Sequence, residues 1–261
     1  MFLHIFQIFL VFVLMRESGL NKIQYRQLPN SLCQVMTSMV RKFWWGHSNK
    51  KNKMVCLSWE KMFLSKDQDG LGFRDLKAFN LALLAKQGWR LQISTIWLVH
   101  GVFKANYFPS NDFHHAELGN RPSFEWRNIM AAQSIIQHEH RWQVGDGSSV
   151  DIRKDKWLPQ PSSFCIAVPP ICMPLDVKVN TLIDPGTRDW NSSMVRHLFG
   201  HADATTVLGI PLSSKLPRDR ILCAYTPEGN FTVITAYKVA VYLSSNPSPG
   251  ESSNDQGQRN F

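Results

Sequence analysis

The stretch that decides the fold runs from residue 41 to residue 90. It contains Arg41-Lys-Phe-Trp-Trp-Gly-His47, Ser58-Trp-Glu-Lys61, Gly70-Leu-Gly-Phe-Arg-Asp-Leu76 and Phe79-Asn-Leu-Ala-Leu-Leu-Ala-Lys-Gln-Gly-Trp-Arg90. Its second half predicts a helix from an Asp75 N-cap to about Leu91. Leu76, Phe79, Leu83 and Leu84 lie on its apolar side, and Lys77, Lys86 and Arg90 cover the rest. Such a helix is amphipathic and needs a partner. Its first half is polar. Residues 41–61 hold six cations (Arg41, Lys42, Lys50, Lys51, Lys53, Lys61) against one acid, Glu60. The loop His47-Ser-Asn-Lys-Lys-Asn-Lys53 is too polar to pack, so its lysines are solvated and free to meet phosphates. Trp44, Trp45 and Trp59 could stack on bases, or could be core beside the preceding helix.

Upstream, Ser31 opens a predicted helix whose Leu32, Val35, Met36, Met39, Val40 and Phe43 recur on one face. Gly46 is its stop, and Arg41 and Lys42 in the last turn suit the helix dipole. Residues 1–15 form an apolar run broken by His4 and Gln7, shorter than the roughly 20 residues that span a bilayer. With no basic residue ahead of it and no Ala-x-Ala after it, the run reads as a buried segment or the accidental start of a larger frame. A signal anchor is the alternative.

Downstream, a helix is predicted at about 94–106, then a loop over 107–125 with Ser123 capping a helix that carries Trp126, Ile129, Met130 and Ile135. Residues 141–153 read as a hairpin, Trp142 and Val144 on one arm and Val150 and Ile152 on the other, with Gly145-Asp-Gly147 turning. Residues 161–174 are proline-rich and read as a linker or extended arm. Short elements follow at 179–183, 194–199 and 202–208. A second hairpin is expected over 220–234, then a helix at 236–243 and a Ser/Pro/Asn tail from Ser244.

Composition narrows the partners. The chain has 261 residues and a formal charge of +9. Residues 1–110 hold 15 Lys/Arg and 5 Asp/Glu, a balance of +10; residues 111–261 hold 14 and 15, a balance of −1. A basic half beside a neutral half suggests an anionic partner, RNA or DNA first, although a solvated basic face also favours solubility. Five scattered cysteines argue for reduced thiols rather than a disulfide framework. That favours an intracellular location (nuclear, cytoplasmic or mitochondrial) over a secreted one.

Catalytic patterns are not found. Two-metal phosphoryl transfer needs clustered carboxylates, and no Asp-Asp pair occurs in the chain. Asp67 and Asp69 read as turn residues, and Asp176, Asp184, Asp189, Asp203 and Glu228 fall in loops. A zinc site could be written from Cys165, Cys172, His197 and His201, but Gly200 interrupts the histidine spacing and the cysteines are far apart. No nucleophile sits in a Gly-x-Ser-x-Gly context. No catalytic residue, metal or cofactor is therefore assigned.

Several motifs recur in one order: Leu28-Pro-Asn-Ser-Leu-Cys33, Phe43-Trp-Trp-Gly46, Gly70-Leu-Gly-Phe-Arg-Asp-Leu76, Tyr107-Phe-Pro109, Arg121-Pro-Ser123, Trp126-Arg127, Val144-Gly-Asp-Gly147 with Trp157-Leu-Pro159, Asp219-Arg220, and Tyr225-x-x-x-Gly229-x-Phe-Thr-Val233 with Ala236-Tyr237. On these, residues 23–240 resemble the segment of plant LINE-type (non-LTR) retroelement reverse transcriptases between the polymerase and the zinc-binding and ribonuclease H regions. The first half also resembles a plant mitochondrial reading frame of the same origin. The resemblance implies that the palm with its aspartate pair would lie before residue 1 and the zinc ligands after Tyr237. What remains would be a non-catalytic thumb-to-connection fragment that grips nucleic acid non-specifically. Carried over to this chain, the contacts fall on Arg41, Lys42, Lys50, Lys51, Lys53 and Lys61, with Trp44 and Trp45 beside them. The alternative is an interaction or scaffold protein that docks an acidic partner on the same face. Neither reading involves a small-molecule substrate or stable membrane insertion, and the oligomeric state is left open.

The expected fold is mainly α with small β-hairpins (α+β), a truncated thumb/connection-like fragment with a loosely packed second part. Its expected parts are an apolar segment (1–22), a basic helical domain (23–160), a proline-rich linker (161–178), a small α+β unit (179–243) and a tail (244–261).

Overall fold

A computed structural model describes residues 26–44, 72–93, 98–109, 113–160, 163–167, 173–174 and 176–246. Among the described residues the fold is mainly helical with two small antiparallel two-stranded sheets. It divides into two compact units, Met1–His138 with Thr232–Phe261, and Glu139–Phe231.

In the first unit the central element is helix α2 (Leu76–Ile93), which lies against α1 (Asn30–Trp44), α4 (Phe124–Met130), α8 (Val233–Ser245) and a 3-10 turn at Phe113–His115. Asp75 caps it as expected, its Oδ1 accepting the Ala78 N–H at 2.9 Å. The amphipathic reading of α2 is corrected. Buried positions run right round the helix and include Ala78, Asn80, Ala82, Leu84, Ala85, Gln87, Gly88, Trp89 and Leu91, whereas Phe79 and Leu83 are only half-buried. Small side chains allow neighbours to approach from several directions, and the lost polar face is replaced by specific hydrogen bonds. Asn80 accepts the Leu28 N–H at 2.8 Å and donates to Arg26 O at 3.0 Å, fixing the segment that enters α1. The Tyr237 hydroxyl of α8 accepts the Asp75 N–H at 2.9 Å.

Gly88 shows how tightly α2 is seated. A Cβ there would lie 2.5 Å from Ile136 Cδ1, 3.1 Å from Phe113 Cζ and 3.3 Å from Ile129 Cγ2. Overpacking costs about 1–3 kcal/mol, against about 1 kcal/mol gained in helix propensity. Gly88→Ala is expected to destabilise the first unit by about 1 kcal/mol. A urea-unfolding midpoint unchanged or raised would show that the pocket relaxes freely.

Helix α1 buries a narrower stripe than its periodicity suggested. Cys33 and Met36 are buried with Leu76, the half-buried Leu28 and Leu32 pack against them, and Val40 is buried one turn on, while Val35 and Met39 are 49% and 59% exposed. A single helix resting on α2 covers only the i, i+3, i+7 line. Helix α3 (Leu98–Tyr107) comes next, followed by α4, which Ser123 caps as expected by accepting the Trp126 N–H at 3.2 Å, and then α5 (Gln133–Glu139).

The second unit corrects both hairpins. Strand β1 (His140–Gln143) pairs not with residues 150–152 but with β4 (Arg220–Cys223), in the register His140↔Cys223 to Gln143↔Arg220. Residues 150–152 bond instead to 177–179, Ile152 N to Val177 O at 3.0 Å and Val179 N to Val150 O at 2.9 Å. After β4 a turn closes with Cys223 N donating to Gly229 O at 2.8 Å, and the expected second arm becomes the start of α8, capped by Thr232. The other sheet is a short hairpin, β2 (Ile183–Asp184) with β3 (Asp189–Trp190). Helices α6 (Ser192–Leu198) and α7 (His201–Leu208) complete the unit. Its core holds Val150, Ile152, Trp157, Leu158, Val179, Leu182, Val195 and Val207, and residues 163–174 contribute Ile166 and Met173.

Candidate nucleic-acid interface

Of the residues expected to meet nucleic acid, the structure places Arg41 and Lys42. Both are exposed in the last turn of α1. Trp44 is the last residue of that helix. Trp45, Lys50, Lys51, Lys53 and Lys61 lie outside the described residues. Other cations of the first unit rest on aromatic faces. Arg26 sits over Phe124, Arg74 over Phe79 and Lys104 over Phe108, with 5.3–5.6 Å to the ring centroids.

The motifs that carry the family resemblance are drawn into structural work. Tyr107, Phe108, Ser123 and Trp126, which come from three separate motifs, meet in one cluster. The Trp126 ring stacks on Tyr107 at 4.7 Å with 3° between planes, and the Tyr107 hydroxyl accepts the Ser123 N–H at 2.9 Å. Val144-Gly-Asp-Gly147 meets Asp219, whose Oδ1 accepts the amides of Gly145 (2.7 Å) and Gly147 (2.9 Å) and whose Oδ2 accepts that of Ser149 (2.8 Å).

The carboxylates have similar occupations. Asp75 caps α2. Asp151 accepts from the amides of Arg153 and Lys154, and Asp155 from that of Asp151. Asp184 accepts from Gly186 and Asp189 from Trp190. The buried Asp203 takes the Ala167 amide at 3.0 Å and Gln160 Nε2 at 3.4 Å. The Ser148 amide and, after it, the Ser148 hydroxyl donate to Asp146 Oδ1 and hold that carboxyl below the usual carboxylate range.

Among the described residues, no group of three His, Cys, Asp or Glu side chains could hold a metal ion. Of the paper zinc set, His197 and His201 are exposed on α6 and α7, and Cys172 lies outside the described residues. Burial pushes the thiols of Cys33 and Cys223 up, and Cys223 Sγ donates to the buried Glu139 Oε2 at 3.3 Å. No described helix is long and apolar enough to cross a membrane.

The sequence reading did not assign Asp219, Asn80 or Tyr237 a role. All three stood inside quoted motifs, which was the one local signal available. Their partners lie 52 to 162 residues away, beyond the reach of periodicity.

The ordered motifs are those of a plant retroelement-derived protein. Over 133 residues the chain is 35% identical to an Arabidopsis thaliana protein named "Uncharacterized mitochondrial protein", covering 51% of this chain and 86% of that one. It therefore belongs to that protein's plant retroelement-derived family. It is also 26% identical over 219 residues to the Arabidopsis "Putative ribonuclease H protein", covering 81% of this chain but 35% of the relative. No family model matches the chain, and no solved structure does.

Proposed function

We propose that the chain is a non-catalytic piece of a LINE-type reverse transcriptase polyprotein that holds nucleic acid non-specifically. The contacts run through Arg41, Lys42, Lys50, Lys51, Lys53 and Lys61, with Trp44 and Trp45 alongside. The carrying observation is that α1 presents Arg41 and Lys42 to solvent in the turn that leads into a segment of four further cations and one acid. Contacts to phosphates supply most of non-specific affinity and make it fall with salt. The ribonuclease H in one relative's name is not carried over, because this chain spans about a third of that protein. The assignments of its carboxylates support a structural rather than a metal-holding role: Asp75, Asp151, Asp155, Asp203 and Asp219 are bound to backbone amides.

Filter binding of labelled DNA and RNA across a salt series tests this. Lys50→Ala, Lys51→Ala and Lys53→Ala together are expected to weaken binding uniformly across sequences and to flatten the salt slope by roughly 2.7, at about 0.9 per phosphate. An unchanged slope removes the loop from the interface. Displacement by polyglutamate in preference to nucleic acid favours the acidic-partner alternative. Any Mg²⁺-dependent primer extension or RNA cleavage overturns the non-catalytic reading.

A further inference from the structure

A second cationic surface lies wholly within the other unit. The segment 213–220 leaves α7 and enters β4. Leu216, half-buried against the core, pins its middle, and Lys215, Arg218 and Arg220 are exposed. Asp219 turns inward onto the amides of Gly145, Gly147 and Ser149, so Arg218 and Arg220 on either side point outward. A fourth cation joins from the β2–β3 turn, where Arg188 Nη1 donates to Ser214 O at 3.1 Å. Arg188 has φ +56° and Leu216 φ +39°, both in the left-handed region that an L side chain enters at a cost of about 1 kcal/mol or more. Gly or Asn would hold these turns with less strain, yet one of them carries a cation.

Among the described residues none of the four cations pairs with a carboxylate, although a surface ion pair forms elsewhere in the unit between Lys154 and Asp176. The nearest acids in sequence are directed at backbone amides: Asp219 as above, Asp184 at Gly186 and Asp189 at Trp190. The exposed neighbours Gly186, Thr187, Ser213 and Ser214 offer no apolar centre. Such a centre is what a protein partner buries. Three of the four cations are arginines, whose planar forks suit phosphate oxygens. Arg218 and Arg220 flank the inward-turned Asp219 on one short stretch at the entry to β4, and both are exposed. Of the unit's three tryptophans, Trp157 and Trp190 are buried and stacked on each other, and Trp142 is half-buried against the core.

We infer that Arg188, Lys215, Arg218 and Arg220 form a separate, sequence-independent docking surface for the phosphate backbone of a nucleic acid. It uses none of residues 41–61 and stands whether or not that segment binds.

The test is fluorescence anisotropy of a labelled random-sequence duplex DNA and of its RNA counterpart, titrated with the full chain across a salt series. Lys215→Ala, Arg218→Ala and Arg220→Ala together are expected to lower the salt slope by about 2.7, at about 0.9 per phosphate. The drop should be equal for different sequences and additive with the Lys50/Lys51/Lys53 substitutions. Arg218→Glu alone, at an exposed position, should lower it by at least one phosphate equivalent, whereas Arg218→Lys with Arg220→Lys should keep most of it. A slope unaffected by these substitutions while the 50–53 variant lowers it overturns this surface and leaves the first standing. The reverse pattern sinks the first and supports this one. Preferential displacement by polyglutamate or by anionic phospholipid vesicles at equal charge also overturns the inference.

Discussion

Trp126→Ala is expected to destabilise the first unit by about 3–5 kcal/mol, the range for emptying a buried aromatic site. The ring is fully buried. It stacks on Tyr107 at 4.7 Å, and Phe103, Phe108 and Phe113 surround it at 5.6–5.9 Å. Aromatic pairs of this kind add about 0.5–1.5 kcal/mol beyond area burial. Two hydrogen bonds depend on the same cluster. Trp126 Nε1 donates to Glu117 O at 3.3 Å, and the Tyr107 ring that Trp126 supports holds the Ser123 amide at the N-cap of α4. Loss of Trp126 therefore loosens α4 and, through it, one side of α2. Trp126→Phe keeps most of the packing and forfeits the indole bond, so it should cost about 1–2 kcal/mol. Urea unfolding followed by amide exchange in α2 and α4 measures both. An alanine variant within 1 kcal/mol of the parent would show that the surrounding rings collapse into the space.

This cluster also shows what the sequence could and could not say. Asp75 and Ser123 were legible as caps because a cap is a local device, a short polar side chain three residues ahead of an amide. The encirclement of α2 was not. Ala78, Ala82, Ala85 and Gly88 carry little hydrophobic signal, yet small residues let neighbouring elements come close. The hairpin over 141–153 was misread for a related reason. Val144-Gly-Asp-Gly147 has the composition of a tight turn, but the amides that would close it are taken by Asp219, more than 70 residues on. Local turn chemistry lost to a long-range carboxylate. The basic segment was legible as charge, and of its proposed contacts only Arg41 and Lys42 have described side chains. The surface at Arg188, Lys215, Arg218 and Arg220 escaped notice because residues 111–261 sum to nearly zero charge. Folding, not composition, separates those cations from the acids that balance them.

Asp219→Ala should be the most damaging single change in the second unit, costing on the order of 3–5 kcal/mol. Hydrogen bonds to a charged group are worth about 1.5–3 kcal/mol each, and three that share one carboxylate are not additive. The residues they organise have no alternative geometry. A Cβ on Gly145 would fall 2.0 Å from Pro217 O, and Gly147 has φ +71° with a Cβ position 2.5 Å from Asn180 N. The backbones at 145–147, 179–180 and 217–218 are therefore in direct contact, and the Asp219 carboxylate joins the first to the third. Removing it strands three amides, two of them in buried glycines, and frees the entry to β4. Asp219→Asn retains an acceptor for Gly145 and Gly147 through its Oδ1 but presents an NH₂ to Ser149, so about half the loss is expected. Amide exchange at residues 145, 147 and 149 reads the effect directly. It should accelerate at all three in the alanine variant and chiefly at 149 in the asparagine variant. Equal protection at 149 in parent and asparagine variant would show that Oδ2 does not hold that amide, and the clamp would reduce to a single-oxygen contact.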